Sequence, residues 1–298
     1  MQFKTIISNK AIEIMKKFHL LAFAMMASMS VFAQEEEKVD AYFTTKEMPD
    51  MVKFLPAPPD TTSTRFVNDI MQYMWGKEQR VVNPDRAKIA ERDAVYGLKT
   101  IIQEFSEPFG MEISETETPK IYEVLKLGTA TCDSICTLPK EHYMRKRPYA
   151  RFNEPTLVPE QEESHRTNGS YPSGHTILGW SAALLLMEIN PEAADTLMAR
   201  GYMYGESRVI AGYHWQSDVD AARLAASVAY AKLHTSDRFL EQMAAARKEF
   251  AEKKASGVKT VIEDRKEING RSYTLSGLPA DETTKGIIIQ DNKKYLRK

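Results

Sequence analysis

Residues 83–105, NPDRAKIAERDAVYGLKTIIQEF, decide the fold class of this chain. Asn83 followed by Pro84 is a strong helix start, because an N-cap residue then stands before a proline at the first helical position. Beyond it, apolar residues recur every three or four positions, which is the spacing of one buried helix face. They are Ala87, Ala90, Ala94, Leu98, Ile101 and Phe105. The pattern predicts one helix across this stretch.

Six more segments show the same helical periodicity, and strand-like alternation is scarce. The first begins at a cap residue, Ser63 or Thr64, and runs to about Arg80. The others cover about residues 117–136, 176–189, 192–206, 217–234 and 236–254. The sequence therefore predicts a compact all-α domain of roughly seven to nine helices over residues 61–255.

The segments on either side of this domain have a different character. Residues 34–60 are predicted as an extended lead-in, because three prolines within residues 56–59 exclude a helix there. Ser256-Gly257 breaks the helical pattern, and Asn269-Gly270 between short apolar stretches is a strong hairpin signal. Residues 256–298 are therefore predicted as a small β-rich C-terminal appendage, with a disordered tail as the alternative.

The first 33 residues form a separate segment. A basic stretch, Met15-Lys16-Lys17, precedes a short apolar run, and small residues follow up to Val31-Phe32-Ala33. This order is typical of a secretory signal peptide, and the apolar run is shorter than the roughly 20 residues of a comfortable membrane span. We expect cleavage after Ala33 and a periplasmic or secreted protein, with an uncleaved anchor as the alternative.

The composition excludes several classes of protein. The 298 residues include 40 Lys and Arg against 41 Asp and Glu, and the mean hydropathy is −0.43. This balance of charge argues against nucleic acid binding. The longest apolar run after residue 33, Trp180 to Met187, is far below the roughly 18–20 residues that a span requires, so no stable membrane insertion is predicted.

Two cysteines, Cys132 and Cys136, stand four residues apart. In an oxidising compartment they can form a disulfide, which inside a helix would require a local irregularity. The alternative is a pair of inert thiols. The spacing lacks the partner ligands of a zinc site, so no metal and no cofactor is predicted.

Three clusters in the helical region carry candidate chemistry. They are Lys140 with Arg147-Pro148, the string Gly169–Thr176 with Ser173, Gly174 and His175, and Ser207-Arg208 with His214 and Asp218. Taken singly, each cluster also fits a solvated basic face, a turn or a packed histidine. Taken together, they supply the groups that hydrolysis of a phosphate ester requires.

A phosphoryl group needs positive charge around its oxygens, because charge spreads over them in the transition state. Lys140, Arg147 and Arg208 supply three cations, and guanidinium groups suit bidentate contacts to phosphate. Ser173 and Gly174 stand where a helix begins, and free N–H groups there favour an anion. Gly174 leaves room for the anion to approach, and Ser173 adds a hydroxyl donor.

Two histidines can divide the remaining chemistry. One can attack phosphorus, while the other protonates the leaving oxygen. Asp218 follows His214 by four residues and can keep one ring nitrogen protonated, which leaves the other nitrogen free to attack.

The clusters are similar to the signature of the phosphatidic acid phosphatase type 2 and haloperoxidase superfamily. Lys-x6-Arg-Pro, Pro-Ser-Gly-His and Ser-Arg-x5-His-x3-Asp all occur here in order, with every fixed position present. The full string Gly169–Thr176, the signal segment and the proline-rich Leu55–Pro59 resemble the bacterial class A nonspecific acid phosphatases in particular. The resemblance covers about residues 54–250 and implies an all-α fold in a homo-oligomer, while the C-terminal appendage departs from that family's compact pattern.

The resemblance also implies a role for each residue of the motifs. His214 would be the phosphorylated nucleophile, Asp218 its orienting partner and His175 the general acid and then base. The phosphoryl oxygens would be bound by Lys140, Arg147, Ser173, Gly174 and Arg208.

We therefore expect a secreted, metal-independent acid phosphatase that hydrolyses small phosphate monoesters through a phosphohistidine intermediate. Three alternatives remain open from the sequence. They are a phosphatase of lipid headgroups, a vanadate-dependent haloperoxidase and a noncatalytic phosphate-binding surface protein.

Overall fold

The computed structural model describes residues 41–268 and four short strands between residues 272 and 297, with side chains described for residues 41–257. The described part holds twelve α-helices. They are α1 (Met51–Phe54), α2 (Thr64–Val82), α3 (Pro84–Arg92), α4 (Leu98–Phe109), α5 (Pro119–Asp133), α6 (Thr137–Tyr143), α7 (Pro148–Phe152), α8 (Glu162–His165), α9 (Gly174–Ile189), α10 (Ala194–Ile210), α11 (Gln216–Leu233) and α12 (Asp237–Ile268). Short 3-10 helices lie at Thr45–Glu47, Ser134–Cys136, Pro159–Gln161 and Pro191–Ala193.

The predicted all-α architecture of the domain is confirmed, since no strand occurs within the described residues 61–255. The predicted number of helices is too low, because the short helices α6, α7 and α8 have too few turns to give a clear periodic signal. The caps predicted for α2 and α3 are present. The Ser63 side chain accepts a hydrogen bond from the Phe66 N–H, and Asn83 accepts one from Arg86.

The helix predicted across residues 83–105 is in fact two helices. α3 ends at Arg92 and α4 begins at Leu98, and between them Gly97 has a φ of 121°, which a helix does not allow. Buried side chains lie on both sides of the break, and the apolar spacing continues across it, so the sequence pattern conceals it. The loop from Asp93 to Gly97 that results becomes part of the site described below.

α9 is the centre of the fold. It packs against α5, α10 and α11, and it is buried on nearly all sides because its sequence is apolar all round. Glycines let α10 approach closely. A Cβ atom at Gly179 would lie 2.5 Å from the Tyr204 ring, and one at Gly201 would lie 2.7 Å from the Ala183 methyl group. These contacts fix α9, which begins at the Pro-Ser-Gly-His motif, against α10, which carries Arg208.

The C-terminal region differs from the sequence prediction at its start. α12 continues through Ser256 and Gly257 to Ile268, so the predicted helix break is wrong, and one exposed glycine costs a helix only about 1 kcal/mol. Beyond it lie β1 (Ser272–Thr274), β2 (Pro279–Ala280), β3 (Gly286–Gln290) and β4 (Lys293–Arg297). They pair antiparallel in the order β2-β1-β3-β4, with Tyr273 opposite Ile289. A separate appendage over residues 256–298 stays a prediction.

The lead-in contains more helix than predicted, because Asp50 caps the single turn α1 by accepting a hydrogen bond from the Val52 N–H. The following residues 55–60 are not helical, as their three prolines require. The signal peptide predicted over residues 1–33 and the lead-in up to residue 40 lie outside the described residues. Within the described part of the chain, none of the helices combines the length and the apolar character needed to cross a membrane.

Of the two alternatives for Cys132 and Cys136, the structure supports the pair of thiols and not the disulfide, since both residues are free and buried. Cys132 is in the last turn of α5, and Cys136 lies in the 3-10 helix that continues it. The backbone therefore stays helical between them and lacks the irregularity that a bridge at this spacing requires.

The contact between α9 and α10 yields a stability prediction. Gly179→Ala places a methyl group against the Tyr204 ring in a packed core, so we expect a loss of about 1–3 kcal/mol in the free energy of unfolding. Gly257→Ala is the matched control, because that glycine is exposed in α12 with open space around it. It should gain about 0.5–1 kcal/mol in urea denaturation. Equal effects of the two substitutions would contradict the close approach.

Candidate active site

The predicted site residues converge on one cavity of about 780 Å³. Lys140, Arg147, Gly174, His175 and His214 line it. The remaining three, Ser173, Arg208 and Asp218, are fully buried and lie next to them in the sequence or in space. The three sequence clusters, which span residues 140–218, therefore form a single site.

The ring of His214 is held between an arginine and a carboxylate. Its Nε2 lies 3.0 Å from Arg147 Nη1, and because a guanidinium can only donate, Nε2 must be the accepting, unprotonated nitrogen. Nδ1 then carries the proton and faces Asp218 Oδ2 at 3.4 Å, a distance too long for a good hydrogen bond. Burial and the nearby cations of Arg147 and Lys140 lower the pKa of His214 well below its usual value, so the ring is neutral.

Asp218 is itself fixed by a buried network. Its Oδ1 accepts a hydrogen bond from Arg145 Nη1 at 2.5 Å, and its Oδ2 accepts one from the Trp215 N–H at 2.9 Å. The other end of Arg145 pairs with Asp69 in α2 at 2.7 Å. Asp69 also accepts hydrogen bonds from the N–H and the hydroxyl of Ser217. The carboxylate that faces His214 is thus positioned by residues from α2, from the α6–α7 loop and from α11.

The loop between α3 and α4 positions His175. Its Nε2 lies 3.0 Å from the Ala94 carbonyl oxygen, which can only accept, so Nε2 carries a proton and Nδ1 is the nitrogen free for chemistry. Burial and the charge of Arg208 lower the pKa of His175 well below its usual value. The loop is anchored through Asp93, which pairs with Arg200 and accepts a 2.6 Å hydrogen bond from the Ser207 hydroxyl.

Arg208 is the most unusual group in the site. It is completely buried, and no described residue forms a hydrogen bond with any of its three guanidinium nitrogens. Its guanidinium carbon lies 4.8 Å from the centre of the Tyr213 ring. Burial and the charge of Arg147 lower the pKa of Arg208 to about 10. Burying a cation without an acceptor is costly, and such a group suits a site that receives an anion.

Among the described residues, the hydrogen bonds of Lys140 and Arg147 go only to backbone carbonyls and to His214. Lys140 Nζ donates to the Gly169 carbonyl at 2.8 Å, and Arg147 donates to the carbonyls of residues 165, 168, 169 and 213. Burial lowers the pKa of Lys140 to about 8, with a further contribution from the charge of Arg147. A Cβ atom at Gly169 would lie 2.5 Å from the Lys140 carbonyl oxygen, so only glycine allows this approach.

The N-terminus of α9 completes the cavity wall. Ser173 is the N-cap residue, and its Oγ accepts hydrogen bonds from the Thr176 N–H and from the Thr176 hydroxyl. The Ser173 N–H donates to the Asp218 carbonyl at 3.1 Å, which links this terminus directly to the start of α11. Gly174 lies in the first helical turn, where the N–H groups have no partner within the helix. The turn therefore presents donors to the cavity.

Sequence analysis missed four supporting residues of the site: Asp69, Asp93, Arg145 and Arg200. Arg145 lies between Lys140 and Arg147 in the first motif, as Lys146 does, and could have been noticed as a further cation there. Asp69 and Arg200 carry no local signal, because only the folded chain brings them near Asp218 and Asp93.

The sequence is similar to one protein superfamily and to several bacterial acid phosphatases. The sequence model described as the PAP2 superfamily matches residues 123–238. The non-specific acid phosphatase of Providencia stuartii is 42% identical over 214 residues, covering 72% of this chain and 86% of that protein. The enzyme of the same name from Salmonella typhimurium is 38% identical, covering 73% and 86%, and an acid phosphatase of Zymomonas mobilis is 30% identical, covering 80% and 88%.

The Arg208 guanidinium, which has no hydrogen-bond partner among the described residues, yields a prediction about stability and binding. Arg208→Met removes a buried charge that lacks an acceptor, so we expect the free energy of unfolding to rise by about 1–4 kcal/mol. The same variant should lose at least tenfold in affinity for orthophosphate, measured by calorimetry.

The matched control is Arg200→Met, which removes a buried arginine that is already paired with Asp93 and Glu104. That variant should lose about 3–5 kcal/mol, because it leaves the buried Asp93 carboxylate without its cation. A loss of stability in Arg208→Met as large as in Arg200→Met would contradict the view of Arg208 as an anion receptor.

The lowered pKa of Lys140 yields a prediction about pH. Its folded-state pKa of about 8 means that the charge is present below pH 8 and is lost as the pH rises through that value. Orthophosphate affinity should therefore fall above about pH 8. Lys140→Arg keeps its charge throughout, so the affinity of the native protein divided by that of the variant should fall roughly tenfold per pH unit there. Because orthophosphate titrates identically in both measurements, its own protonation cancels in this ratio of affinities. A ratio independent of pH would exclude Lys140 as the titrating group.

Proposed function

The chain belongs to the PAP2 superfamily and, within it, to the bacterial non-specific acid phosphatases, and we propose that it hydrolyses phosphate monoesters without a metal through a phosphohistidine. One observation carries this proposal. His214 Nε2 is unprotonated, is buried, and lies in the same cavity as Lys140 and Arg147. A neutral imidazole among cations that lack counter-charges is suited to attack a phosphate dianion.

In the first step, the lone pair of His214 Nε2 attacks phosphorus, and the bond between phosphorus and the ester oxygen breaks. The electron pair of that bond moves to the leaving oxygen, which takes a proton from Nδ1 of His175. Attack leaves positive charge on the His214 ring, and the Asp218 carboxylate, 3.4 Å from Nδ1, stabilises it. We expect this contact to shorten when the ring becomes charged, because contacts of this kind tighten in the reacting complex.

In the second step, His175 acts as the base. Nδ1 removes a proton from water, the water oxygen bonds to phosphorus, and the bond between phosphorus and Nε2 breaks. The electron pair returns to His214, and orthophosphate is released. The Ala94 carbonyl keeps the proton on Nε2 throughout, so Nδ1 is the nitrogen that gains and loses the proton.

Charge stabilisation comes from residues already in place. Arg208 offers three nitrogens without partners, Arg147 and Lys140 lie beside it, and Gly174 offers a backbone N–H. The Arg208 nitrogens can meet charge as it develops on the equatorial oxygens without first breaking a hydrogen bond. The hydrogen bond from Arg147 to His214 Nε2 must open before that nitrogen attacks. These donors also supply the role that a metal ion has in other phosphatases, which supports a mechanism without a cofactor.

The pKa shifts favour acidic conditions for the first half of the reaction. The lowered pKa of His214 keeps Nε2 unprotonated even in mildly acidic solution. His175 must be protonated to act as the acid, and its pKa is lowered by burial and by Arg208 in the empty site. A bound phosphate dianion offsets the charge of Arg208, which raises the pKa of His175 when the substrate is present.

The cellular setting is part of the proposal. The basic, apolar and small-residue order of residues 1–33 supports export to the periplasm or the medium, with cleavage after Ala33. The expected partners are small phosphomonoesters, and the homo-oligomer implied by the family resemblance stays a prediction.

The division of roles between the histidines is testable with two substitutions. His214→Ala should abolish turnover and prevent formation of an acid-labile phosphoprotein from an aryl phosphate. His175→Ala should reduce kcat on alkyl phosphates by about 10²–10⁴-fold and affect activated aryl phosphates much less, because only poor leaving groups need the proton.

The assays are run at about pH 5–6 with a chelator present. His142→Ala is the matched control, because that histidine is exposed and forms no part of the catalytic scheme. Activity that survives in His214→Ala would overturn the assignment of the nucleophile. Equal losses on both ester types in His175→Ala would overturn its role as proton donor.

A further inference from the structure

A carboxyl group in the cavity wall has no part in the scheme above. Asp133, the last residue of α5, lines the cavity beside Tyr96 and Cys136. Its Oδ2 accepts a short hydrogen bond from the Tyr96 hydroxyl. Its Oδ1 is shielded from solvent and has no hydrogen-bond partner among the described residues.

This free oxygen lies close to the phosphoryl cradle. A Cβ atom at Gly174 would be 3.4 Å from Asp133 Oδ1 and 3.9 Å from the Tyr96 hydroxyl. Lys140 acts on Asp133 only through its charge. Its Nζ donates to the Gly169 carbonyl and forms no ion pair with Asp133 within 4 Å. Asp133 thus has one oxygen, Oδ1, that forms no hydrogen bond with the described residues.

The position of Asp133 and Tyr96 beside His175 indicates which part of the substrate these two residues would contact. The Tyr96 ring packs edge-on against the His175 ring, with centroids 4.8 Å apart. In the proposed mechanism, His175 protonates the leaving oxygen, and His214 attacks phosphorus from the opposite side. The alcohol part of the ester must therefore lie on the side of His175, which is the side of Tyr96 and Asp133.

We infer that Asp133, oriented by Tyr96, binds a hydroxyl group on the alcohol part of the substrate and directs the enzyme towards phosphate monoesters of polyols. The inference rests on the proposed function and deepens it. Sugar phosphates, glycerol phosphates and other esters with a hydroxyl near the ester carbon belong to this class.

A hydroxyl suits this position whichever protonation state Asp133 has, because it can donate to a carboxylate or accept from a carboxylic acid. Burial raises the pKa of Asp133, opposed by the Tyr96 hydrogen bond and the charge of Lys140. A neutral carboxyl also avoids repulsion with a phosphate dianion at Gly174. An alkyl ester without the hydroxyl leaves a shielded oxygen unpaired, and such a loss reduces binding in the transition state.

The test uses a matched pair of substrates, 2-hydroxyethyl phosphate and ethyl phosphate, with phenyl phosphate as the reference. We expect the native enzyme to favour the hydroxyethyl ester by about tenfold in kcat/KM, the effect of one good hydrogen bond. Asp133→Ala and Tyr96→Phe should both reduce this preference to about twofold or less while retaining hydrolysis of phenyl phosphate. Tyr96→Phe is informative even where Asp133→Ala folds poorly, because the Tyr96 side chain is half exposed.

Glu141→Gln is the matched control, because this carboxylate also lines the cavity but is exposed, and its preference should equal that of the native enzyme. Hydrolysis of phenyl phosphate without preference between the two alkyl esters would overturn this inference and leave the phosphatase proposal intact. Unchanged preference in both Asp133→Ala and Tyr96→Phe would overturn it as well. Failure of the native enzyme to hydrolyse any of the three esters would overturn both proposals.

Discussion

The unbalanced positive charge in the cavity is the constraint on which the rest of the structure depends. Lys140, Arg147 and Arg208 converge there, yet two buried carboxylates nearby are already engaged by other arginines. Asp218 is held by Arg145, and Asp93 is held by Arg200. Because these two carboxylates have their own cations, they do not neutralise the cavity, and in the proposed function a phosphate dianion balances its charge.

The same arrangement explains why the site needs so much of the fold. Each histidine is oriented by a separate buried arginine–carboxylate network, one reaching α2 through Asp69 and the other joining α10 to the loop after α3. The Ser173 N–H donates a hydrogen bond to the Asp218 carbonyl, which connects the helix terminus beside His175 to the residue that faces His214. The relative positions of the site residues thus depend on the packing of α9 against α10 and α11. Small residues at the helix contacts make this close packing possible.

The motifs in the sequence predicted residues that the fold brings to one cavity, but they did not predict the buried arginines and carboxylates behind them. Motif spacing identifies Lys140, His175 and His214 because their chemistry restricts residue type. By contrast, Arg200 and Asp93 are 107 positions apart, and their pairing follows from tertiary structure alone. The break at Gly97 was hidden for a related reason, since the apolar stripe keeps its spacing across it. Periodicity reports which face is buried, and it does not report whether the backbone stays helical between buried positions.

The Ala94 carbonyl has a consequence for how such an enzyme can diverge. The proton position on His175 is set by a main-chain atom, which no substitution at residue 94 can delete. The next two residues, Val95 and Tyr96, carry exposed side chains that line the cavity. Substitutions at positions 95 and 96 can therefore change the side chains of the cavity wall while His175 keeps its tautomer. For directed evolution, positions 95 and 96 offer a place to randomise side chains at low risk to turnover.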